Sequence, residues 1–193
     1  MNFSQQVWLI RHGETEWSKS GQHTGWTDIP LLPESEPKLR RLAPVLGEHA
    51  FSLVLSSPLI RAYRTAELAG FTSITREPNL REWNYGDCEG QTKDQIRARI
   101  PNWNIWVNGV TGGETLDQVA DRARKVIARA KESSGDVALI AHGHILRILA
   151  ACWRELPPVN AEHFALSTGS ISVLSYENDL PVLLRWNWQP ENT

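Results

Sequence analysis

Cysteine is scarce: two residues in 193, Cys88 and Cys152, far apart and without motif spacing. That excludes a disulfide scaffold and suits a reduced, cytoplasmic chain. Long apolar runs are missing as well. No segment approaches the roughly 18 consecutive apolar residues of a membrane span. The opening "MNFSQQVWLIRHG" has neither the basic segment nor the long apolar core of a secretory signal. Charge of one sign is also lacking, since 20 Lys and Arg against 22 Asp and Glu leave a formal net charge of −2. Such a balance gives no reason to expect nucleic acid or a membrane surface as partner. Repeats, low-complexity tracts and linkers are absent, so the length fits one well-cored domain over 1–193. Tryptophan is the exception to this scarcity, at nine residues, most of them expected in the core or in groove walls.

Three segments read as buried strands: "QQVWLIRHG" (5–13), "FSLVLSSP" (51–58) and "DVALIAHG" (136–143). A fourth, short strand fits "SITREPNL" (73–80). Helical spacing runs through 36–49, where Leu39, Leu42, Val45 and Leu46 share a face and Gly47 is a stop. It recurs at 59–70, 93–100, 114–132 (N-cap Glu114 or Thr115) and 144–153. The stretch 16–35 is rich in Gly, Ser, Thr and Pro and reads as loop, and 164–188 as a hairpin turning at Glu177-Asn178-Asp179. Strands alternating with helices imply an α/β fold: a three-layer α/β/α sandwich with a largely parallel central sheet.

In such a sheet, ligands collect at the carboxyl ends of the strands. Those ends carry Arg11-His12-Gly13, Ser56-Ser57-Pro58 leading to Arg61, and His142-Gly143-His144, while Glu82 lies in the loop "LREWNYG". If the strands are neighbours, these groups meet in one pocket. Adjacent Arg11 and His12 repel when both are charged, unless something anionic sits between them. Two guanidiniums grip phosphate oxygens bidentately and depress the pKa of a nearby histidine, keeping it neutral and nucleophilic. A histidine can take a phosphoryl group covalently, and a carboxylic acid can protonate the departing oxygen. His142 and His144 also form an H-x-H pair of the kind that binds zinc. Two arginines at the same place oppose a dication and no third ligand clusters there, so no metal is expected.

Taken alone, Arg-His-Gly is a string that arises by chance. "LIRHGETEW", "SSPLIRAYRTA", "LREWNYGDCEG" and "ALIAHGHILR" together, in order and spacing, resemble the histidine phosphatase superfamily, also called phosphoglycerate-mutase-like. The resemblance covers nearly the whole chain. It implies His12 as the phosphorylated nucleophile, Arg11, Arg61 and His142 as phosphate-binding groups, and Glu82 as the proton donor. Glu14, Asp87 and Glu89 are competing carboxylates; the block match favours Glu82. The resemblance also puts Ser18, Thr24 and Gly25 at substrate contacts, with Ser18 where many members carry Asn. Tyr85 and Lys93 fall on positions that contact substrate in the mutase branch, and His23 is a candidate for the pocket wall. Arg64 is expected on a helix surface, and His144 as a packing residue at a helix start. No cofactor is implied.

Mutases of this superfamily typically carry Glu-Arg-His-Tyr-Gly where this chain has "EWNYG", and an arginine pair where it has "IPNWNIWVNGVT". A metal-independent phosphomonoesterase acting on small phosphorylated metabolites is therefore the expected activity. Within the phosphatases the motifs look most like the sedoheptulose-1,7-bisphosphatase-like branch. A bisphosphate needs a second cationic patch, for which Lys19, Arg76, Arg81 and Lys93 are candidates. The alternatives are a phosphoglycerate mutase, a protein phosphatase acting on phosphohistidine or phosphotyrosine, and a non-catalytic phosphate-binding module.

Overall fold

A computed structural model describes residues 5–190; the ends of the expected domain, 1–4 and 191–193, lie outside the described residues. The apolar runs form parallel strands β1 (Val7–Arg11), β2 (Phe51–Ser56), β3 (Thr75–Arg76) and β4 (Asp136–Ala141). The terminal hairpin adds β5 (Ile171–Glu177) and β6 (Leu180–Trp188), with β5 antiparallel to β1, and the sheet order is β3-β2-β4-β1-β5-β6. The hairpin turns at Asn178 and Asp179, whose φ of 49° and 64° suit the mirror-image turns that match strand twist.

Strand side chains alternate between faces, and both faces are apolar because both are covered. Trp8, Ile10, Ala138 and Ile140 belong to one core with Leu39 of α2 (Glu36–Arg40), Leu42 and Leu46 of α3 (Leu42–Gly47), and Ala62 and Ala66 of α4 (Ile60–Leu68). Val7, Leu9, Val137 and Leu139 belong to the other, with α7 (Leu116–Lys131) and α8 (Gly143–Trp153). On α7 the buried residues Val119, Ala120, Ala123, Val126, Ile127 and Ala130 make one stripe at helical spacing. Its N-cap is Thr115, which forms a capping box with Gln118. Full burial of each aliphatic side chain contributes about 1.5–3 kcal/mol, which makes these two cores the main stabilising term.

Three local expectations need correction, and one short helix is additional to them. The helix expected over 36–49 breaks between α2 and α3, because Pro44 lacks an N–H and its ring opposes the carbonyl four residues back, at Arg40. The strand expected over 73–80 shrinks to Thr75–Arg76, with Pro78 opening a 3-10 turn. The loop over 16–35 contains α1 (Glu16–Ser20), started by a Thr15–Ser18 capping box and ended by Gly21 at φ 78°. A short helix unmarked by periodicity, α6 (Ile105–Asn108), is capped by Asn104. The helix at 93–100 forms as expected, as α5 (Lys93–Arg99).

β2, β4 and β1 are adjacent, and their carboxyl ends are level: Arg11 pairs with Ala141, and Ser56 with Ile140. One residue further on, His12 N–H donates to the Ala141 carbonyl and Ser57 N–H to that of Ile140, both at 2.9 Å. The register thus brings His12, Ser57 and His142 to one edge.

Candidate active site

His12 is buried, and its Nδ1 lies 2.6 Å from the Gly13 carbonyl oxygen. A carbonyl only accepts, so Nδ1 carries the hydrogen and Nε2 holds the lone pair. Nε2 has no protein partner and is not among the sealed-off atoms, so it opens onto the cleft. Burial, then the Arg61 and Arg11 guanidiniums, push His12 well below the ordinary imidazole value of 6.5, against the opposing bond to Gly13. His12 is thus a neutral imidazole with a free nitrogen. Gly13 permits the tight turn that follows: a Cβ there would lie 2.4 Å from Ser35 Oγ and 2.6 Å from Leu39 Cδ1.

The His142 ring stands 5.0 Å from that of His12. Arg61 Nε donates to His142 Nδ1 at 3.1 Å, which leaves the hydrogen on Nε2, 2.8 Å from Ser57 Oγ. Burial, Arg61 and His12 hold His142 well below 6.5. Arg61, at the start of α4 and fully buried, directs three more of its five donors at the carbonyls of Thr24, Gly25 and Thr27 and keeps one Nη1 hydrogen over. It therefore clamps the 24–27 loop against His142. Gly25 is required there, since a Cβ would meet the Trp83 carbonyl oxygen at 2.6 Å and Glu89 Oε2 at 2.5 Å. Arg11 Nη1 bonds the Leu166 carbonyl, while Arg11 Nε is, among the described residues, the one buried side-chain nitrogen or oxygen with no partner. Burial lowers the pKa of both arginines, and Glu82 opposes the shift.

Glu82 is buried at the N-terminus of α8. Its Oε1 accepts from the Trp83 and Ile145 backbone N–H groups and its Oε2 from that of His144, each at 2.9 Å. His142 sits at the N-cap with no side-chain cap bond, so Glu82 satisfies from outside two donors that a helix start leaves unpaired. The competing carboxylates are elsewhere: Glu89 accepts from the Gly25 and Thr27 N–H groups, Asp87 is exposed, and Glu14 lines an adjoining cleft.

The cleft onto which His12 opens encloses about 220 Å³ and is lined by Arg11, His12, Ser18, Thr24, Glu82 and Tyr85, among others, while Arg61 and His142 are buried behind it and Gly25 is not in the lining. Lys93 is not among its lining residues; it is exposed at the start of α5. Gly25 offers no free N–H, because Glu89 takes it, and the Ser18 hydroxyl is spent on the capping box with Thr15. The expected second cationic patch does not form at this cleft. Lys19 pairs with Glu34 at 3.3 Å, Arg76 lies over the Tyr63 ring and Arg81 over the Trp26 ring. Arg64 is on the helix surface, paired with Glu36 and Glu67. Sequence reasoning missed Arg147, which lines the cleft one helical turn after Gly143. It also left His144 as packing, whereas His144 lines the cleft with Nδ1 2.5 Å from Tyr85 Oη. The H-x-H pair is divided, one ring turned to Arg61 and Ser57 and the other to Tyr85. Among the described residues no group of three or more His, Cys, Asp or Glu could hold a metal ion.

A neutral histidine nitrogen between two arginines, at the carboxyl ends of parallel strands, defines an enzyme of phosphate-ester chemistry. The chain belongs to the histidine phosphatase superfamily (branch 1), whose family model matches residues 7–189, and is a hydrolase of phosphate monoesters. It is 38% identical over 179 residues to an acid phosphatase of Mycobacterium tuberculosis, covering 91% of this chain and 88% of that protein. It is 36% identical over 178 residues to the sedoheptulose 1,7-bisphosphatase of Saccharomyces cerevisiae, covering 75% of this chain and 66% of that one. Among solved structures, an open-reading-frame product of Mycobacterium tuberculosis superposes with a TM-score of 0.92 at 36% identity, over 96% of this chain and 98% of the other. No helix among the described residues is long and apolar enough to cross a membrane.

Proposed function

We propose that the chain hydrolyses small phosphorylated metabolites, sugar phosphates or bisphosphates, through a phosphohistidine at His12. The observation that carries this reading is the pair of unpartnered nitrogens not sealed from the cleft, His12 Nε2 and Arg11 Nη2. A phosphoryl group seated between them completes both. His12 Nε2 attacks phosphorus, the bond from phosphorus to the ester oxygen breaks, and the protonated Glu82 carboxyl gives its proton to the departing alkoxide. The Glu82 carboxylate then takes a proton from water, the hydroxide attacks phosphorus, the N–P bond breaks and inorganic phosphate leaves. Arg11, Arg61 and the Nε2–H of His142, shared with Ser57, stabilise charge on the equatorial oxygens. No step calls for a metal ion. A cleft of about 220 Å³ suits a small metabolite, and similarity to a sugar bisphosphatase supports that class.

The test is phosphate release in EDTA from sugar mono- and bisphosphates, 3-phosphoglycerate, phosphoserine, a phosphotyrosine peptide and p-nitrophenyl phosphate. Rapid quench with 32P-labelled substrate should trap label on the wild type and none on His12→Ala of unchanged circular dichroism. Turnover by that variant would refute the mechanism. Release confined to the peptide would move the activity to protein phosphatases, and phosphate exchange on 3-phosphoglycerate without net release would move it to mutases.

A further inference from the structure

We propose that His23 and His144 form an acceptor–donor pair that grips one hydroxyl of the substrate, so that the cleft selects polyhydroxy phosphates over esters that lack that hydroxyl. The inference rests on the phosphatase reading above and adds what the distal wall of the same cleft recognises. Both rings line the cleft, and Tyr85 lies within ring contact of each, at 5.0 Å from His23 and 5.6 Å from His144.

Hydrogen positions follow from the partners. His23 Nδ1 is 2.8 Å from the Gln91 carbonyl oxygen, so Nδ1 carries a hydrogen and the imidazole form offers its lone pair at Nε2. His144 Nδ1 faces the hydroxyl of Tyr85, a buried residue whose O–H finds no other acceptor among the described residues. Donation from Tyr85 to Nδ1 is the arrangement that strands no buried proton, and it places the His144 hydrogen on Nε2. Burial keeps Tyr85 protonated and His144 neutral, consistent with that direction. Neither Nε2 has a protein partner, and neither is sealed from the cleft. The distal wall therefore presents one acceptor and one donor.

A hydroxyl satisfies both at once, because it donates and accepts. A carboxylate or second phosphate at the same point only accepts and would face the His23 lone pair. Trp103 packs against His23 at 5.4 Å, and Trp106 against His144 at 5.0 Å, fixing both rings. A pre-fixed pair of this kind discriminates against analogues that lack the hydroxyl, since the ring nitrogens are then left unpaired.

The test compares kcat/KM for ribose 5-phosphate and fructose 1,6-bisphosphate with that for n-pentyl phosphate, a primary alkyl ester without hydroxyls. Wild-type protein should prefer the best sugar phosphate, and His23→Phe and His144→Phe, which keep an aromatic ring, should each lower that ratio about tenfold. His144→Gln, which restores a nitrogen donor, should recover part of it, a pattern that a structural role would not produce. Ratios unchanged within about twofold in both Phe variants, or a wild type without preference that still cleaves p-nitrophenyl phosphate, overturn this inference alone. Loss of a folded melting transition in a Phe variant moves its comparison to the Gln variant, where an unchanged ratio overturns the inference equally. A wild type that releases phosphate from none of these esters overturns the reading beneath it.

Discussion

Replacing Glu82 tests two roles of one carboxylate. It accepts three backbone N–H bonds at 2.9 Å, from Trp83, His144 and Ile145, and is only 4% exposed. Glu82→Ala removes every acceptor. Each buried donor left unpaired costs about 1–3 kcal/mol, and water entering from the cleft offsets part of this at His144, so the expected loss is about 3–5 kcal/mol. At roughly 2–4 °C per kcal/mol for a chain of this size, Tm should fall by about 10 °C. Glu82→Gln keeps one oxygen for Trp83 and Ile145 but turns an NH2 toward the His144 N–H, so about 1–2 kcal/mol should go. Gln holds no transferable proton, however. On alkyl phosphates, whose alkoxide must be protonated as it leaves, kcat/KM should fall about 10²–10⁴-fold. On p-nitrophenyl phosphate, whose leaving group needs little protonation, the fall should be under about tenfold. Thermal melts and initial rates on both ester types decide the matter. Equal losses on the two esters would refute the acid role, and an unchanged Tm in Glu82→Ala would refute the capping role.

Arg61→Lys should lower kcat about 10²-fold or more and loosen the 24–27 loop, because an ammonium cannot hold His142 Nδ1 and three carbonyls in one plane. Near-normal rates with unaltered proteolysis at that loop would contradict the clamp. Gly25→Ala should cost about 1–3 kcal/mol by overpacking against the Trp83 carbonyl, read as a lower denaturant midpoint; a neutral result would mean the loop moves freely. His12, His142 and His144 all sit below 6.5 when folded and return to it when unfolded. The unfolded chain therefore binds more protons as pH drops through 6.5, so their stabilisation is full above that value and lost on acidification. Tm should decline from pH 7 to 5 and decline less in His144→Phe; identical slopes would show that His144 does not contribute.

Strand ends were legible because buried parallel strands are continuous apolar runs, and Arg11, His12, Ser57 and His142 follow such runs directly. Glu82 was legible only through the resemblance, since its position depends on a loop reaching the start of α8. The failures are equally physical. The cationic patch rests on charge, which says nothing about which way an exposed side chain points, and Lys93 as a substrate contact rests on the resemblance to the mutase branch. Arg147 and His144 were overlooked because α8 is apolar on almost every face, so periodicity gives no sign that one edge meets a cleft. Helix α1 lay hidden in a polar stretch because its signal is a two-residue capping box, not a hydrophobic stripe.

That separation has a chemical consequence. Almost every group expected to work on phosphate already has a structural partner: Arg61 holds a loop, Glu82 a helix end, His142 a serine, Arg11 a distant carbonyl. Side chains fixed in this way lose little further freedom when substrate arrives, so their charge is oriented before the reaction begins. At the phosphate end of the cleft, His12 Nε2 and Arg11 Nη2 are places where the protein alone leaves hydrogen bonding incomplete. An anion satisfies an unpaired guanidinium N–H better than a neutral carbonyl does. Inorganic phosphate or vanadate should therefore raise Tm in wild type and much less in Arg11→Gln, even when His12 is replaced by Ala. An equal rise in the Arg11 variant would place the anion elsewhere and remove the main support for phosphoryl transfer at this cleft.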